Sequence, residues 1–170
     1  MTLQNIDKTL YKQKQRKLAL CLCAIFFVLA MVLSTLLRNY FGNPEGSNTW
    51  VNLTGVLMGL ALTAGLFALV SNHIALDELR YAWKLKRQVL KIQNKLHQWE
   101  KQLEQGDQAA ATVIAFYYQG VLQLQMLEGN DFGYSETRQR ESRFRNQCRE
   151  LGLRDNAEEF NSDLLTSLKA

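Results

Sequence analysis

Residues 18–37 read LALCLCAIFFVLAMVLSTLL, twenty residues without a formal charge. A second uncharged stretch, GSNTWVNLTGVLMGLALTAGLFALVSNHIAL, occupies residues 46–76. A helix of about 20 mostly apolar residues is long enough to cross the hydrocarbon layer of a bilayer. The sequence therefore predicts two transmembrane helices, at residues 18–37 and 51–73, which form a helical hairpin around a short outer loop at residues 38–50.

Basic side chains flank the two apolar stretches unevenly. Residues 1–17 carry five Lys or Arg, residues 38–50 carry one and residues 77–105 carry seven. Because an excess of Lys and Arg in short flanking segments stays in the cytoplasm, we expect both termini to be cytoplasmic. These side chains would also attract an anionic inner leaflet, by about 1 kcal/mol each near the surface. The candidate lipid contacts are Lys12, Lys14, Arg16, Lys17, Lys84, Lys86 and Arg87.

The formal charge of +4 is divided along the chain. Residues 1–105 hold thirteen basic and six acidic side chains, whereas residues 106–170 hold seven basic and ten acidic ones. The basic excess therefore lies beside the apolar stretches. The distal half has no basic stripe interleaved with stacking aromatic residues, so we expect no nucleic-acid partner.

The second apolar stretch contains small residues four positions apart. Gly55 and Gly59 form one such pair, and Ala61 and Gly65 form another. Small residues at this spacing allow two helix backbones to approach closely in a membrane. The pairs could hold copies of the chain together in a homo-oligomer, or they could pack against the first span within one chain.

Beyond the second stretch the pattern predicts one long basic helix over residues 77–105, continuous with the second span. Its apolar seam, spaced by three and four residues, is typical of a coiled coil or of a helix in a bundle. We expect the seam to face the following helix within the chain, because a short connection favours antiparallel neighbours. An intermolecular coiled coil is the alternative. The seam comprises Leu85, Val89, Ile92, Leu96, Trp99 and Leu103.

Three further helices are predicted. Asp107 and Gly129 are typical start and stop residues for a helix over residues 108–128, and a turn at residues 130–134 would precede a helix over residues 135–151. A capping-box pattern from Asp155 predicts a last helix that carries Ala157, Phe160, Leu164 and Leu168. No segment shows strand alternation. The sequence thus predicts an all-α protein with two transmembrane helices and a small cytoplasmic helical bundle at residues 77–170.

The residues that could carry chemistry are few and scattered. Neither His73 nor His97 has a Cys, His, Asp or Glu at a metal-ligand spacing that would make a closed or catalytic site. Cys21 and Cys23 point to different faces of one helix, and Cys148 stands alone, which is typical of apolar filler. We therefore expect no catalytic residue, no metal, no cofactor and no enzymatic activity.

A few short motifs accompany this layout. The sequence reads YAWKLK at residues 81–86 and FYYQG at residues 116–120, with Gly106, Ala109 and the Gln123-Leu124 pair around the second motif. With the basic start and the two spans, these motifs resemble a family of small uncharacterised two-span inner-membrane proteins of gammaproteobacteria. The resemblance covers most of residues 1–130 and implies a bacterial inner-membrane location. That family has no assigned activity, so the resemblance implies no site residue.

The pattern favours a non-enzymatic membrane anchor or adaptor that docks a protein partner. The docking contact would involve Tyr134 and the Arg-rich helix that follows it. The alternative is a subunit of a homo-oligomeric channel or transporter, because two spans from several copies can surround a pore. Against a pore, neither span contains a charged residue, and the most polar lining available is Asn52, Thr54 and Thr63.

Overall fold

The computed structural model describes residues 2–166, which contain six α-helices and no β-strand, so the predicted all-α class is confirmed. The chain divides into two units, Gln13–Leu79, named here the apolar unit, and Met1–Lys12 with Arg80–Ala170, the bundle unit. The helices are α1 (Lys8–Phe41), α2 (Thr49–Val70), α3 (Asp77–Gln93), α4 (Leu96–Glu104), α5 (Gln108–Glu128) and α6 (Asp131–Glu150).

The two longest apolar helices cover the predicted spans. Helix α1 contains all of residues 18–37, and α2 contains most of residues 51–73. Both are long and apolar enough to cross a membrane. The link between them is shorter than predicted, since only residues 42–48 are non-helical. Asn43 and Asn48 close this link, because the Asn43 amide donates to Asn48 Oδ1 at 2.7 Å and Asn48 Nδ2 donates to the Asn43 carbonyl at 3.0 Å.

The second apolar helix ends earlier than predicted, and it does not run on into the next helix. Helix α2 stops at Val70, where the His73 amide donates to the Val70 carbonyl at 2.9 Å in a tighter turn. His73 Nδ1 then accepts from the Ala75 amide at 3.2 Å, ahead of a short 3₁₀ helix at Ile74–Leu76. The polar run at residues 71–73 supplies local hydrogen bonds that compete with continued helix.

The predicted long helix over residues 77–105 is also interrupted. Helix α3 ends at Gln93 and α4 begins at Leu96, and the Lys95 amide donates to the Ile92 carbonyl at 2.9 Å across the break. A seam with a strict 3.5-residue period drifts by about 20° per heptad around a straight helix. The break compensates for this drift without a supercoil, so that the seam residues of both helices face the core.

The apolar seam packs within the chain, as predicted. Side chains from α3 and α4 cover α5, and Val89 and Leu85 lie against the position of Gly120. Gly120 has no side chain, which allows this close approach. Leu96 is only partly covered because it lies at the break. The other five seam residues are buried, namely Leu85, Val89, Ile92, Trp99 and Leu103.

Helix α5 begins and ends where the sequence predicted. The Asp107 carboxylate accepts from the Ala109 amide at 2.7 Å, and Gly129 ends the helix with φ = 73°. Twelve of its 21 residues are buried, including the unbroken run from Ala110 to Phe116. It is therefore the central helix of the bundle unit.

The last two predicted helices required correction. Helix α6 begins at Asp131, four residues before the predicted start, because Asn130 Oδ1 accepts from the Gly133 amide at 3.1 Å and caps it. The predicted last helix is instead two short 3₁₀ helices, Ala157–Glu159 and Ser162–Thr166. The chain turns extended at Phe160, whose ring stacks on Phe116 with centroids 3.9 Å apart. Leu168 lies outside the described residues.

The buried seam can be tested in the full chain by Ile92→Asp, with Gln93→Asp as the matched control. Ile92 is fully buried on α3, whereas the adjacent Gln93 is exposed. An unpaired carboxylate in an apolar core costs several kcal/mol. Denaturant unfolding in detergent should therefore show a loss of at least about 3 kcal/mol for Ile92→Asp. If both variants lowered the free energy of unfolding by the same small amount, burial of the seam would be contradicted.

Candidate functional site

The described part of the chain contains no cluster of three or more His, Cys, Asp or Glu side chains that could hold a metal ion. His73 caps the short 3₁₀ helix after α2, and His97 is exposed on α4. Cys148 is buried on α6, and burial raises the pKa of its thiol to about 11, with the Asp155 carboxylate adding to the effect. A thiol with so high a pKa is a poor nucleophile at neutral pH.

The small residues of α2 differ in their surroundings. A methyl group added to Gly55 would lie 2.5 Å from Ser34 Cα, and one added to Gly59 would lie 2.8 Å from the Ala30 amide nitrogen. Both glycines therefore sit against the backbone of α1 in the same chain. A methyl group added to Gly65 would have no neighbour within 4 Å. Ala61, its predicted partner, is exposed.

The basic residues of the apolar unit are partly engaged. Lys14 Nζ donates to Glu78 Oε2 at 2.6 Å, and this hydrogen bond lowers the pKa of the Glu78 carboxyl below its usual range. Arg16 and Lys17 are exposed. Of the predicted lipid contacts in this unit, Lys14 thus has a protein partner.

The predicted lipid contacts of the bundle unit fall into two groups, those with a partner in the protein and those that are exposed. Lys86 is paired with Glu128 at 2.9 Å, and the Lys12 ammonium group lies beside Gly129 at the carboxyl end of α5. A cation is stabilised at that end of a helix by the helix dipole. Lys84 and Arg87 are exposed, and the Arg87 guanidinium lies 5.8 Å from the centre of the Trp83 ring.

Helices α5 and α6 enclose an open cleft of about 290 Å³. Its floor is apolar at Leu122, and Met126 on its edge is 40% exposed. Tyr134 lines it, as do Arg138 and Arg145 of the Arg-rich helix α6. The lining residues are Gln119, Leu122, Gln123, Met126, Tyr134, Arg138, Glu141 and Arg145.

A buried carboxylate organises this cleft. Glu141 is only 4% exposed, and it accepts from Arg138 Nη1 at 3.3 Å and from Arg145 Nη2 at 2.8 Å. Arg145 Nε also lies 3.6 Å from Asp155 Oδ2. A guanidinium group carries five N–H donors, so both arginines keep donors that Glu141 does not use. This role was not predicted, because a Glu three and four residues from two arginines is equally typical of a solvated helix face.

A second groove, of about 440 Å³, lies on the other side of α5, between α3, α4 and α6. Its basic side chains are paired inside the groove, Lys86 with Glu128 and Arg140 with Glu136 at 2.7 Å. Gln125 Nε2 donates to Thr137 Oγ1 at 3.0 Å across its floor. The lining of this groove carries two basic and three acidic side chains, whereas the first cleft is lined by two arginines and one carboxylate, so the first cleft is the better candidate for recognition of an anionic group.

The start of the chain packs on the bundle unit, a contact that sequence reasoning missed. The Gln4 amide donates to Tyr81 Oη at 2.8 Å, and Tyr81 Oη donates to Gln123 Oε1 at 3.0 Å. Gln123 Nε2 donates back to the Gln4 carbonyl, which closes the ring of hydrogen bonds. Burial raises the pKa of the Tyr81 hydroxyl, so it stays a neutral donor. Ile6, two residues after Gln4, is also buried in this unit.

Comparison with known proteins identifies the family of this chain, but the family has no assigned activity. No curated protein and no solved structure matches the chain significantly. The model of the family described as "Protein of unknown function (DUF3087)" matches residues 1–165. This match covers nearly the whole chain, including both long apolar helices and the bundle. The chain therefore belongs to this family of proteins of unknown function.

Proposed function

We propose that the protein is an integral membrane protein whose two apolar helices, α1 and α2, span the bilayer as a hairpin. Only 6% of the most apolar window of α1 and 17% of that of α2 is buried within the chain. An apolar core helix of a water-soluble protein would be mostly covered, so these exposed faces favour lipid as their surroundings. The basic flanks favour cytoplasmic termini, and the resemblance implies the bacterial inner membrane.

Close contacts within the apolar unit support the hairpin. Gly55 and Gly59 lie against Ser34 and Ala30, and Ser34 Oγ donates to the Asn52 carbonyl at 3.1 Å. Small residues at a helix contact and an interhelical hydrogen bond are both typical stabilisers of helix pairs in membranes. These glycines are therefore used within the chain, whereas the adjacent face of α2, around Gly65, remains open to lipid or to a second copy.

The function that this architecture favours is that of an adaptor, not an enzyme. The observation that carries the proposal is the pair Arg138 and Arg145, which the buried Glu141 holds at the edge of the α5–α6 cleft. Fixed guanidinium groups beside an exposed Met and a Tyr suit a protein segment that presents a carboxylate next to an apolar side chain. Confinement to the membrane would raise the effective concentration of such a partner at the surface.

A channel or transporter subunit receives less support. Thr54 Oγ1 donates to the Trp50 carbonyl at 2.9 Å, and Thr63 Oγ1 donates to the Gly59 carbonyl at 2.8 Å. Both hydroxyl groups are therefore engaged by their own helix. Of the three polar residues that could line a pore, only the side chain of Asn52 is not engaged in this way, and Asn52 lies in the first turn of α2.

Membrane topology can be tested with reporter fusions at residues 17, 45 and 105. The distribution of basic residues predicts cytoplasmic, periplasmic and cytoplasmic positions, in that order. Alkaline phosphatase and green fluorescent protein fusions report the two sides by opposite signals. A periplasmic signal from the fusion at residue 105 would refute the proposed topology and the cytoplasmic location of the bundle unit.

The hairpin contact can be tested by Gly59→Ile, with Gly65→Ile as its control. The new side chain would clash with α1 at Ala30 in the first variant and meet no neighbour in the second. With Ser34→Cys and Asn52→Cys added, and with Cys21 and Cys23 replaced by Ala, a short bis-maleimide should give an intrachain cross-link in membranes. We expect Gly59→Ile to lose most of this product and Gly65→Ile to keep it. Equal yields would show that α1 and α2 do not pack through Gly59.

Adaptor function can be tested by affinity purification of the full chain from native membranes. Arg138→Gln removes a guanidinium from the cleft, and Arg143→Gln removes an exposed one from the same helix outside the cleft. Loss of a charged hydrogen bond should weaken binding of the partner roughly tenfold. We expect a stoichiometric partner that Arg143→Gln retains and Arg138→Gln loses. A homogeneous oligomer of this chain alone would instead favour the channel subunit.

A further inference from the structure

The outer face of α3 combines exposed apolar and basic side chains. Trp83 is 66% exposed and Leu90 is 48% exposed, although a Trp or a Leu on a bundle helix is ordinarily covered. With a period of 3.6 residues, Trp83, Arg87 and Leu90 fall on one line along the helix. Lys84 and Lys91 lie beside this line on its Arg87 side, and both are exposed.

The opposite face of the same helix is the buried one. Tyr81, Leu85 and Ile92 point into the core of the bundle unit. Trp83 therefore faces away from the bundle, and Leu90 lies at the edge of this outer face, where its half-exposed side chain also lines the rim of the second groove. The acidic residues of α3, Asp77 and Glu78, are confined to its first turn. The charged side chains of α3 beyond its first turn are thus all basic.

Covalent connection restricts where this face can act. Helix α3 begins at Asp77, only seven residues after α2 ends at Val70. If α2 spans the bilayer, as proposed above, the chain cannot carry α3 far from the cytoplasmic membrane surface. The further inference rests on that part of the proposed function and does not depend on the α5–α6 cleft.

We propose that the outer face of α3 binds the surface of an anionic bilayer. Trp83 and Leu90 would enter the headgroup region, where indole rings are favoured, and Lys84, Arg87 and Lys91 would contact lipid phosphates. An interfacial helix is recognised by this combination of a polar basic face with Trp and Leu. Lys86, which the sequence placed among the lipid contacts, is excluded because it pairs with Glu128, and Lys91 takes its place.

A bilayer fits this face better than a protein partner does. The two apolar side chains are separated along the helix and are surrounded by cations, so they form no continuous apolar patch of the kind that protein interfaces bury at their centre. A lipid surface accepts isolated insertions and supplies negative charge on every side. The Arg87 guanidinium beside the Trp83 ring, 5.8 Å from its centre, can contact a phosphate while the ring stays in the interface.

The test uses the full chain, with Cys21 and Cys23 replaced by Ala, and a fluorophore attached at Leu90→Cys. Cys148 can stay, because it is buried and its thiol reacts poorly. The matched label position is Asn146→Cys, which is exposed on α6. The protein is reconstituted into phosphatidylcholine vesicles with and without phosphatidylglycerol. In the anionic vesicles, spin-labelled lipid should quench the fluorophore at residue 90 at least about twofold more than at residue 146.

Removing basic side chains from α3 tests whether its contact with the bilayer depends on their charge. Arg87→Gln with Lys91→Gln should weaken surface association roughly fivefold for each charge removed, and quenching at residue 90 should fall to its level in pure phosphatidylcholine. The control, Arg143→Gln with Arg149→Gln, removes the same charge from exposed positions of α6 and should change nothing. Quenching at residue 90 no greater than at residue 146 would overturn the proposal.

A third outcome would also overturn it. If the label at residue 90 is shielded from iodide in water yet is not quenched by lipid, a protein surface covers this face. Salt provides an independent check, because the Debye length shortens from about 10 Å at 0.1 M to about 3 Å at 1 M. Lipid quenching that is unchanged at 1 M salt would refute a contact with headgroup charge. Either failure leaves the reporter-fusion topology intact, so it is distinguishable from failure of the proposed membrane location.

Discussion

The bundle unit depends on the need to cover α5 on all sides. This helix buries every residue from Ala110 to Phe116, so no single partner helix can shield it from water. Helices α3 and α4 cover one side with their seam, α6 covers another, and Phe160 stacks on Phe116 where no helix remains. Gly120 supplies the space that α3 needs for close approach. Each of these neighbours therefore buries an apolar face against α5.

Local signals explain which elements could be predicted. Helix α5 was predicted to the residue because Asp107 and Gly129 act through hydrogen bonds and a backbone angle that depend on nearby sequence alone. The break between Gln93 and Leu96 carries no such signal, since it arises from fitting a straight helix to α5 over the whole seam. The last segment failed for the same reason, because the stacking of Phe160 on Phe116 outweighs a capping pattern at residues 155–158.

The sequence analysis found the basic residues that could contact lipid or a partner, but not how they are arranged. The basic residues were found by counting, yet counting does not show that Lys14 and Lys86 already have acidic partners 64 and 42 residues away. The ring of Gln4, Tyr81 and Gln123 likewise joins parts of the chain with no shared periodicity. Glu141 could have been suspected, since it lies three and four residues from Arg138 and Arg145. Only its burial shows that it positions them.

The basic side chains that line the cleft from α6 are paired with a carboxylate, whereas those on the outer face of α3 are exposed. This difference suits the two helices to different kinds of anionic partner. On α6, Arg138 and Arg145 are held by a buried carboxylate, which reduces the conformational entropy that either would lose on binding a fixed anionic partner. On α3, Arg87 and the flanking lysines are exposed on flexible stems, which suits a fluid surface where phosphates have no fixed positions. Because the two sets lie on different helices, the proposed lipid and protein contacts need not compete. Occupying the membrane surface would then leave the α5–α6 cleft free for a partner that is confined beside the same membrane.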